Sequence, residues 1–243
     1  LRCTKIAVGH QADDTAELVL MNLLRGSGPL GLAGIAPRQG RVIRPLIDIH
    51  RAEVMTYLDQ KAIQPRHDES NDDLTLTRNR IRRELIPSLE ATYNPSLRAS
   101  LQRTARILRE EEEWLEAHLD EVCGDLLTQV DDECARFDRK GFQLAHPALQ
   151  RRLLRRGLAR VAVDLKRIGF DHIEAIRRLA GEHSEGPKWL DLPRGLAVAV
   201  DSGQIDILAA AAARDRRQVS QHHWQSTAGD YRCEFTAITE TPV

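Results

Sequence analysis

Apolar and polar positions alternate with two different periods along this chain. Residues 5–9, KIAVG, make an apolar run of strand length, which predicts a short buried strand. From Ala12 to Leu24 the apolar residues Ala12, Ala16, Val19, Leu20, Leu23 and Leu24 recur at three- and four-residue spacing. That period predicts an amphipathic helix, ended by Gly26. RGSGPLGLAGIAP (25–37) reads as a Gly/Pro-rich loop, RVIRPLI (41–47) as a second strand and HRAEVMTYLDQKA (50–62) as a second helix. The β-α-β-α order predicts an α/β layer with a partial parallel sheet. A polar loop from Pro65 leads into a helix from about Thr77 to Leu85, punctuated by Pro87.

The pattern changes after Pro95. Leu97, Leu101, Leu108, Leu115, Leu119, Val122 and Leu126 form one stripe. It predicts a connecting helix of roughly 30 residues, about 45 Å long at ~1.5 Å per residue. On it, REEEEWLE (109–116) reads as a solvated face. His146-Pro147 opens another helix with Pro in its first turn, and FDHIEAIRRLA (170–180) follows as one more. KWLDLPRGLAVAVDSGQIDIL (188–208) alternates and carries an Asp-Ser-Gly turn, which predicts strands with a hairpin. The expected organisation is therefore an α/β domain over 1–95, a connecting helix over 96–135 and a mainly helical α+β domain over 136–210. A polar tail over 211–243 reads as a linker or an incomplete C-terminal domain. No internal repeat is present.

Composition narrows the classes. The 243 residues are 42% hydrophobic and 29% charged, as expected of a soluble globular protein rather than a disordered one. No apolar run approaches the ~18–20 residues of a membrane span, so no membrane partner is expected, and no secretory signal opens the chain. Cys3, Cys123, Cys134 and Cys233 are scattered without a CxxC pair. That argues against a zinc site or a disulfide framework, and predicts free thiols in a reducing cytoplasm. The net charge of −1 means that a nucleic-acid partner must be met by local patches. RNRIRR (78–83) and RRLLRRGLAR (151–160) supply them. The chain opens LRCTKIAVGH without Met, one step ahead of a strand, and is expected to begin partway through a domain.

The densest candidate chemistry is GHQADDTAE (9–17). Drawn on a helix, His10 and Asp14 share a face, as do Asp13, Asp14 and Glu17. They lie just past a strand, where open parallel sheets bind ligands. Acidic first turns are also favoured by the helix dipole and by capping, so from spacing alone a cap and a site stay equally open. Three carboxylates repel one another, which points to a cation, a base edge or a proton-acceptor role. GSGPLG (26–31) matches G-x-G-x-x-G but follows a helix and contains Pro, so a dinucleotide fingerprint is rejected and a helix C-cap is expected instead.

Three blocks in order, GHQADDTAELVLMNLLRGSGPLGLAGI, IRPLIDIHRAEVMTYL and DESNDDLTLTRNRIRRELIP, resemble the tRNA(Ile)-lysidine synthetases of the PP-loop ATPase family. The resemblance is strong over 5–95, while FQLAHPALQRRLLRRGL (142–158) is similar to the family's substrate-binding domain. It implies an adenine nucleotide alpha hydrolase-like fold over 1–95, the C-terminal part of a PP-loop catalytic domain, then a tRNA substrate-binding domain. It implies a two-step reaction. ATP adenylates the C2 oxygen of the wobble cytidine in an isoleucine tRNA with a CAU anticodon. The amine of free lysine then displaces AMP to form lysidine. ATP and Mg²⁺ are the implied cofactors. The family tends to dimerise, though no homodimer interface is legible here.

By the same resemblance His10, Asp14 and Glu17 are the catalytic candidates. Asp13 is a candidate Mg²⁺ ligand because that ion prefers oxygen. Arg25 with Gly26, at the helix end, is a candidate phosphate contact, with a cation at a helix C-terminus as the alternative. Arg78, Asn79 and Arg82 match the family motif and are candidate contacts to phosphate or a base, with surface salt bridging as the alternative. Arg151, Arg152 and Arg155 are candidate tRNA backbone contacts, with a solvated helix face left open for any one of them, and Asp68, Ser70 and Asn71 read as loop-formers. The family's SGGxDS phosphate loop does not occur in the 243 residues, so the expectation is that it precedes Leu1 and that this chain alone does not turn over ATP. Two rival readings are a cytidine thiolase-like PP-loop enzyme, which usually adds a CxxC pair, and a non-catalytic RNA-binding remnant.

Overall fold

The computed structural model describes residues 3–66, 68–162, 164–182 and 186–217. The chain divides into two compact units, Leu1–His118 and Leu119–Val243.

In the first unit, β1 (Ile6–Ala7) leads to α1 (Ala12–Leu24), α2 (Pro29–Leu32), the short strands β2 (Arg38–Gln39) and β3 (Val42–Ile43), and α3 (Arg51–Gln60). β1 pairs parallel with β3, with Ile6 opposite Val42 and Ala7 opposite Ile43, and β2 pairs antiparallel with β3. The parallel pairing matches the expected α/β layer. The strands are shorter than the apolar runs suggest, because Pro45 ends β3's pairing early. The first strand is not buried: Ile6 is 55% exposed. β2, with Arg and Gln, carried no apolar signal.

Helix α1 ends as its Gly predicts. Gly26 takes a positive φ of 74°, its N–H bonds the Leu23 carbonyl and the Ser27 N–H bonds the Asn22 carbonyl. This pattern closes the helix through a left-handed residue that glycine adopts without steric cost. The expected loop over 25–37 holds one helical turn, α2, because Pro29 at its first position is preset for helical φ. Asn22 Nδ2 ties α1 to it by donating to the Gly31 carbonyl at 2.6 Å.

Next comes a continuous helical stretch, α4 (Thr77–Arg80), a π-turn (Ile81–Leu85) and α5 (Ile86–Thr92). Pro87 was expected to stop it and does not. Proline removes an N–H and clashes with the carbonyl four residues back in an α-helix. The wider π-turn just before it changes that backbone spacing, so the helix passes through. Leu20, Ile81 and Ile86 pack as a buried cluster that fixes α1 against this stretch.

α6 (Leu97–Cys123) is 27 residues long. The connecting helix expected over 96–135 stops there, at Gly124. Leu127–Asp131 (β4) and Cys134–Asp138 (β5) instead form an antiparallel hairpin. Leu126, counted on the helical stripe, belongs to a 3-10 turn. Most of REEEEWLE is solvated as expected, but Glu112 is buried.

The second unit adds α7 (Arg139–Leu144), α8 (Pro147–Val161), α9 (Phe170–Gly181), β6 (Lys188–Asp191), β7 (Ala197–Val200) and β8 (Gln204–Leu208). Its sheet runs β4-β5-β8-β7-β6, antiparallel throughout. His146 caps α8, its Nδ1 accepting from the Ala148 N–H at 3.2 Å. Alternation sorts the faces. Val198, Val200, Ile205 and Ile207 join Phe137, Phe142, Leu153, Leu154, Leu158 and Ile176 in the main core. Ala197, Ala199 and Leu208 turn to the opposite face, with Cys134 and Ala213. Residues 210–217 are helical, and the rest of the expected tail lies outside the described residues.

Candidate active site

The site grows from the ends of the two parallel strands. After β1 the chain passes through His10 to Gln11, the N-cap of α1. His10 therefore precedes the helix, and the i,i+4 alignment with Asp14 expected from sequence does not form. Asp14 closes a capping box, its Oδ2 accepting from the Gln11 N–H at 2.7 Å. Ahead of β3 the loop through Gly34, Ile35 and Ala36 turns beside α1. Gly34 has φ 70°, and a Cβ there would lie 2.6 Å from Thr15 Cγ2.

Asp14 and Glu17 are held by two arginines from the next helical stretch. Arg78 donates through Nη2 to Asp14 Oδ1 (2.8 Å) and through Nε to Glu17 Oε2 (2.9 Å). Arg82, on the π-turn, donates through Nε to Glu17 Oε1 (2.5 Å), and through Nη2 to Glu17 Oε2 (3.0 Å) and Asp14 Oδ1 (3.1 Å). Glu17 is 1% exposed. The like charges that looked excessive in sequence are balanced one for one by guanidiniums from a segment about 60 residues away. Hydrogen bonding to Glu17, outweighing the cost of burial, raises the Arg82 guanidinium above its ordinary value, so its charge is secure.

This geometry changes the expected roles. All four oxygens of Asp14 and Glu17 already accept hydrogen bonds. They are suited to holding Arg78 and Arg82 in place rather than to taking a proton from an amine. Asp13 is likewise engaged. Its Oδ2 accepts from the Arg51 N–H (2.8 Å) and its Oδ1 from Arg98 Nη1 (3.2 Å), with His50 Nδ1 at 3.7 Å. Mg²⁺ needs several free oxygen ligands. A carboxylate covered by a guanidinium does not fit it, and among the described residues no cluster of three His, Cys, Asp or Glu side chains could hold a metal.

A cavity of about 450 Å³ lies beside this network, lined by His10, Leu18, Gly34, Ile35, Ala36, Gln39, Arg44 and Arg78. It joins one expected catalytic residue and one expected tRNA contact. Arg44 was not singled out from the sequence, although it leaves β3 as His10 leaves β1, and a polar residue in that position was the available signal. Its Nε donates to His10 Nδ1 at 3.2 Å and its Nη1 to the Ala36 carbonyl at 2.7 Å. Among the described residues Arg44 forms no ion pair. The cavity can therefore present positive charge and an imidazole against an apolar wall, a setting for a planar base or an anionic oxygen.

Other expected residues serve the scaffold. Asn79 is buried and donates to the Ser70 and Asp73 carbonyls at 2.9 and 2.8 Å, holding the loop before α4. Asp68 caps that loop's 3-10 turn by accepting from the Ser70 N–H; the side chain of Asn71 lies outside the described residues. Arg25 is exposed and Gly26 ends α1, and neither lines the cavity. In the second unit, Arg151 Nε donates to Glu174 Oε1 at 2.7 Å and its guanidinium lies 5.6 Å over the Phe170 ring. Arg152 is half-buried, and Arg155 is exposed on α8.

Comparison with known proteins agrees with this division of the chain. Residues 2–89 match the PP-loop domain and residues 137–204 match the TilS substrate binding domain. A tRNA(Ile)-lysidine synthase of Caldanaerobacter subterraneus subsp. tengcongensis is 39% identical over 189 residues, covering 78% of this chain and 40% of that protein. The tRNA(Ile)-lysidine synthases of Leifsonia xyli subsp. xyli and Thermobifida fusca are 35% and 34% identical, covering 83% and 84% of this chain and 59% and 61% of theirs. The chain belongs to the tRNA(Ile)-lysidine synthase family. It spans about 40% of the length of the first curated relatives it matches. Within this lysidine synthase family chain, His10, Arg44 and the Asp14–Glu17–Arg78–Arg82 network all fall in the PP-loop match, while the α8 arginines fall in the substrate-binding match. Among the described residues no helix is long and apolar enough to cross a membrane.

Proposed function

We propose that the protein to which this chain belongs ligates lysine to C2 of the wobble cytidine in an isoleucine tRNA with a CAU anticodon, with ATP as the activating substrate. The observation that carries this reading is the cavity at the carboxyl ends of β1 and β3, where His10, Arg44 and Arg78 meet an apolar wall. A cytosine C2 carbonyl is a poor electrophile. ATP, when bound, supplies the AMP group that makes its oxygen a leaving group, with diphosphate released. The lysine amine then attacks C2, AMP departs with the oxygen and the amine loses a proton. The charge to be stabilised is anionic throughout, at phosphate and at the departing oxygen, and fixed guanidiniums stabilise it without reorganising.

In this reading Arg78 and Arg82 are the electrostatic groups, and Asp14 and Glu17 position them. The net neutral quartet keeps the arginines ordered in the absence of substrate. Arg155 and its neighbours on α8 contact tRNA phosphates. The donor set around Asp13 supports no Mg²⁺ role for that residue, and no step is assigned to the ion.

Mass spectrometry of tRNA from cells depleted of the full-length gene tests the proposal. Lysidine is expected to disappear, leaving unmodified cytidine in the CAU anticodon. If lysidine persists with this gene as the only candidate, the reading fails.

A further inference from the structure

We propose that Arg44 is a positioning residue that fixes His10 as the Nε2–H tautomer, making the imidazole a hydrogen-bond donor rather than a proton acceptor in the cavity. The part assigned to His10 in catalysis rests on the function proposed above; the tautomer itself does not.

The argument starts from the sheet. Parallel pairing sets Ala7 against Ile43, and the Val8 N–H donates to the Ile43 carbonyl at 3.0 Å. The two strands thus deliver His10 and Arg44 side by side just past their carboxyl ends. Arg44 is anchored independently of His10. Its backbone N–H donates to the Pro37 carbonyl at 2.9 Å and its Nη1 to the Ala36 carbonyl at 2.7 Å. The remaining contact is Nε to His10 Nδ1 at 3.2 Å. A guanidinium has five N–H donors and no acceptor. The ring nitrogen facing it must therefore present its lone pair, and an N–H on Nδ1 would set donor against donor. In the neutral ring the proton then resides on Nε2.

His10 lines the cavity, and with Nδ1 occupied its polar capacity there is the Nε2–H. A donor in that place suits an anionic oxygen, in line with the charge of Arg44 beside it, which has no ion-pair partner among the described residues. It does not suit removal of a proton from an amine. Proton loss from the attacking lysine must then go to a group other than His10.

The test is long-range ¹H–¹⁵N correlation spectroscopy on the 243-residue chain labelled with ¹⁵N-histidine, with His10→Gln to assign the ring. The expected wild-type pattern at neutral pH has a protonated nitrogen coupled strongly to both ring-carbon protons, which marks it as Nε2. Arg44→Met is expected to give a mixture of tautomers, and Arg44→Lys, which can still donate to Nδ1, to restore the single form. Protonation at Nδ1 in the wild type, or a pure Nε2–H ring in Arg44→Met, would overturn the proposal. Should the Met variant fail to fold, the wild-type spectrum decides whether the lone pair is on Nδ1. The lysidine assay is separate: its failure leaves this result standing, and a wrong tautomer leaves the ligase reading standing.

Discussion

Each unit buries one carboxylate between two arginines, yet the two arrangements sit in different surroundings. In the first, Glu17 is 1% exposed and paired with Arg78 and Arg82, and Arg78 also lines the cavity. In the second, Asp206 is equally buried and paired with Arg136 (2.7 Å) and Arg216 (2.5 Å), on the sheet face that carries Cys134 and Ala213. A buried carboxylate clamped by guanidiniums is thus a structural device in both. The arginines of both arrangements are partly exposed; what distinguishes the first is that Arg78 lines the cavity beside His10 and Arg44. The surrounding cores differ as well. The second unit rests on a large hydrocarbon cluster between a five-stranded sheet and its helices, whereas the first has two-residue strands and a small cluster around Leu20, Ile81 and Ile86.

The largest effects should come from the two buried carboxylates. Removing one partner of a buried ion pair leaves uncompensated charge and costs about 3–5 kcal/mol. Glu17→Ala and Asp206→Ala should both lower the free energy of unfolding by amounts in that range, read as an earlier denaturant midpoint, but lysidine formation by the complete enzyme should fail only with Glu17→Ala when both are assayed well below their midpoints. Equal loss of activity would erase the distinction. Leu154→Ala comes next. Leu154 is fully buried in the second unit's core, and its truncation should cost about 2–5 kcal/mol, read by thermal unfolding, while the His10 ring signals stay unchanged.

A smaller loss, about 1–3 kcal/mol, is expected for Gly157→Ala from overpacking. A Cβ there would lie 2.6 Å from Phe137 Cζ and 3.1 Å from Ile207 Cδ1, so the core must shift; an unchanged melting temperature would mean that the core around Phe137 takes up the added methyl without strain. Smallest in energy is a reactivity contrast. Burial, then the nearby Asp206 carboxylate, pushes the Cys134 thiol above its ordinary value, while Cys3 is exposed. A raised value means less thiolate at neutral pH, so peptide mapping after brief alkylation should find Cys3 modified well before Cys134. Asp206→Ala removes one of the causes and should speed alkylation of Cys134.

Much of this was legible along the chain, and the misses share a cause. Helix α1, its Gly26 terminus, the His146-Pro147 start of α8 and the hairpin at Asp201–Gln204 follow from periods, caps and turn residues that act within a few positions. The β4–β5 hairpin was hidden because Leu126 happened to continue a helical stripe, and Pro87 misled because the π-turn that accommodates it has no sequence period of its own. Three blocks of residue types carried the family. They did not carry the roles of Asp13, Asp14 and Glu17.

The sequence by itself determined where charge accumulates and which helices carry it, since those depend on local spacing. Only the tertiary structure decided what the charge does. Arg78 and Arg82 reach Asp14 and Glu17 from more than 60 residues away, and Arg44 meets His10 across 34. Hydrogen-bond valence is exhausted or left open by such partners, and no local pattern records them. An acidic cluster for which a proton-acceptor role was one of the open readings is a clamp for two guanidiniums, and the His10 ring meets a third at Nδ1.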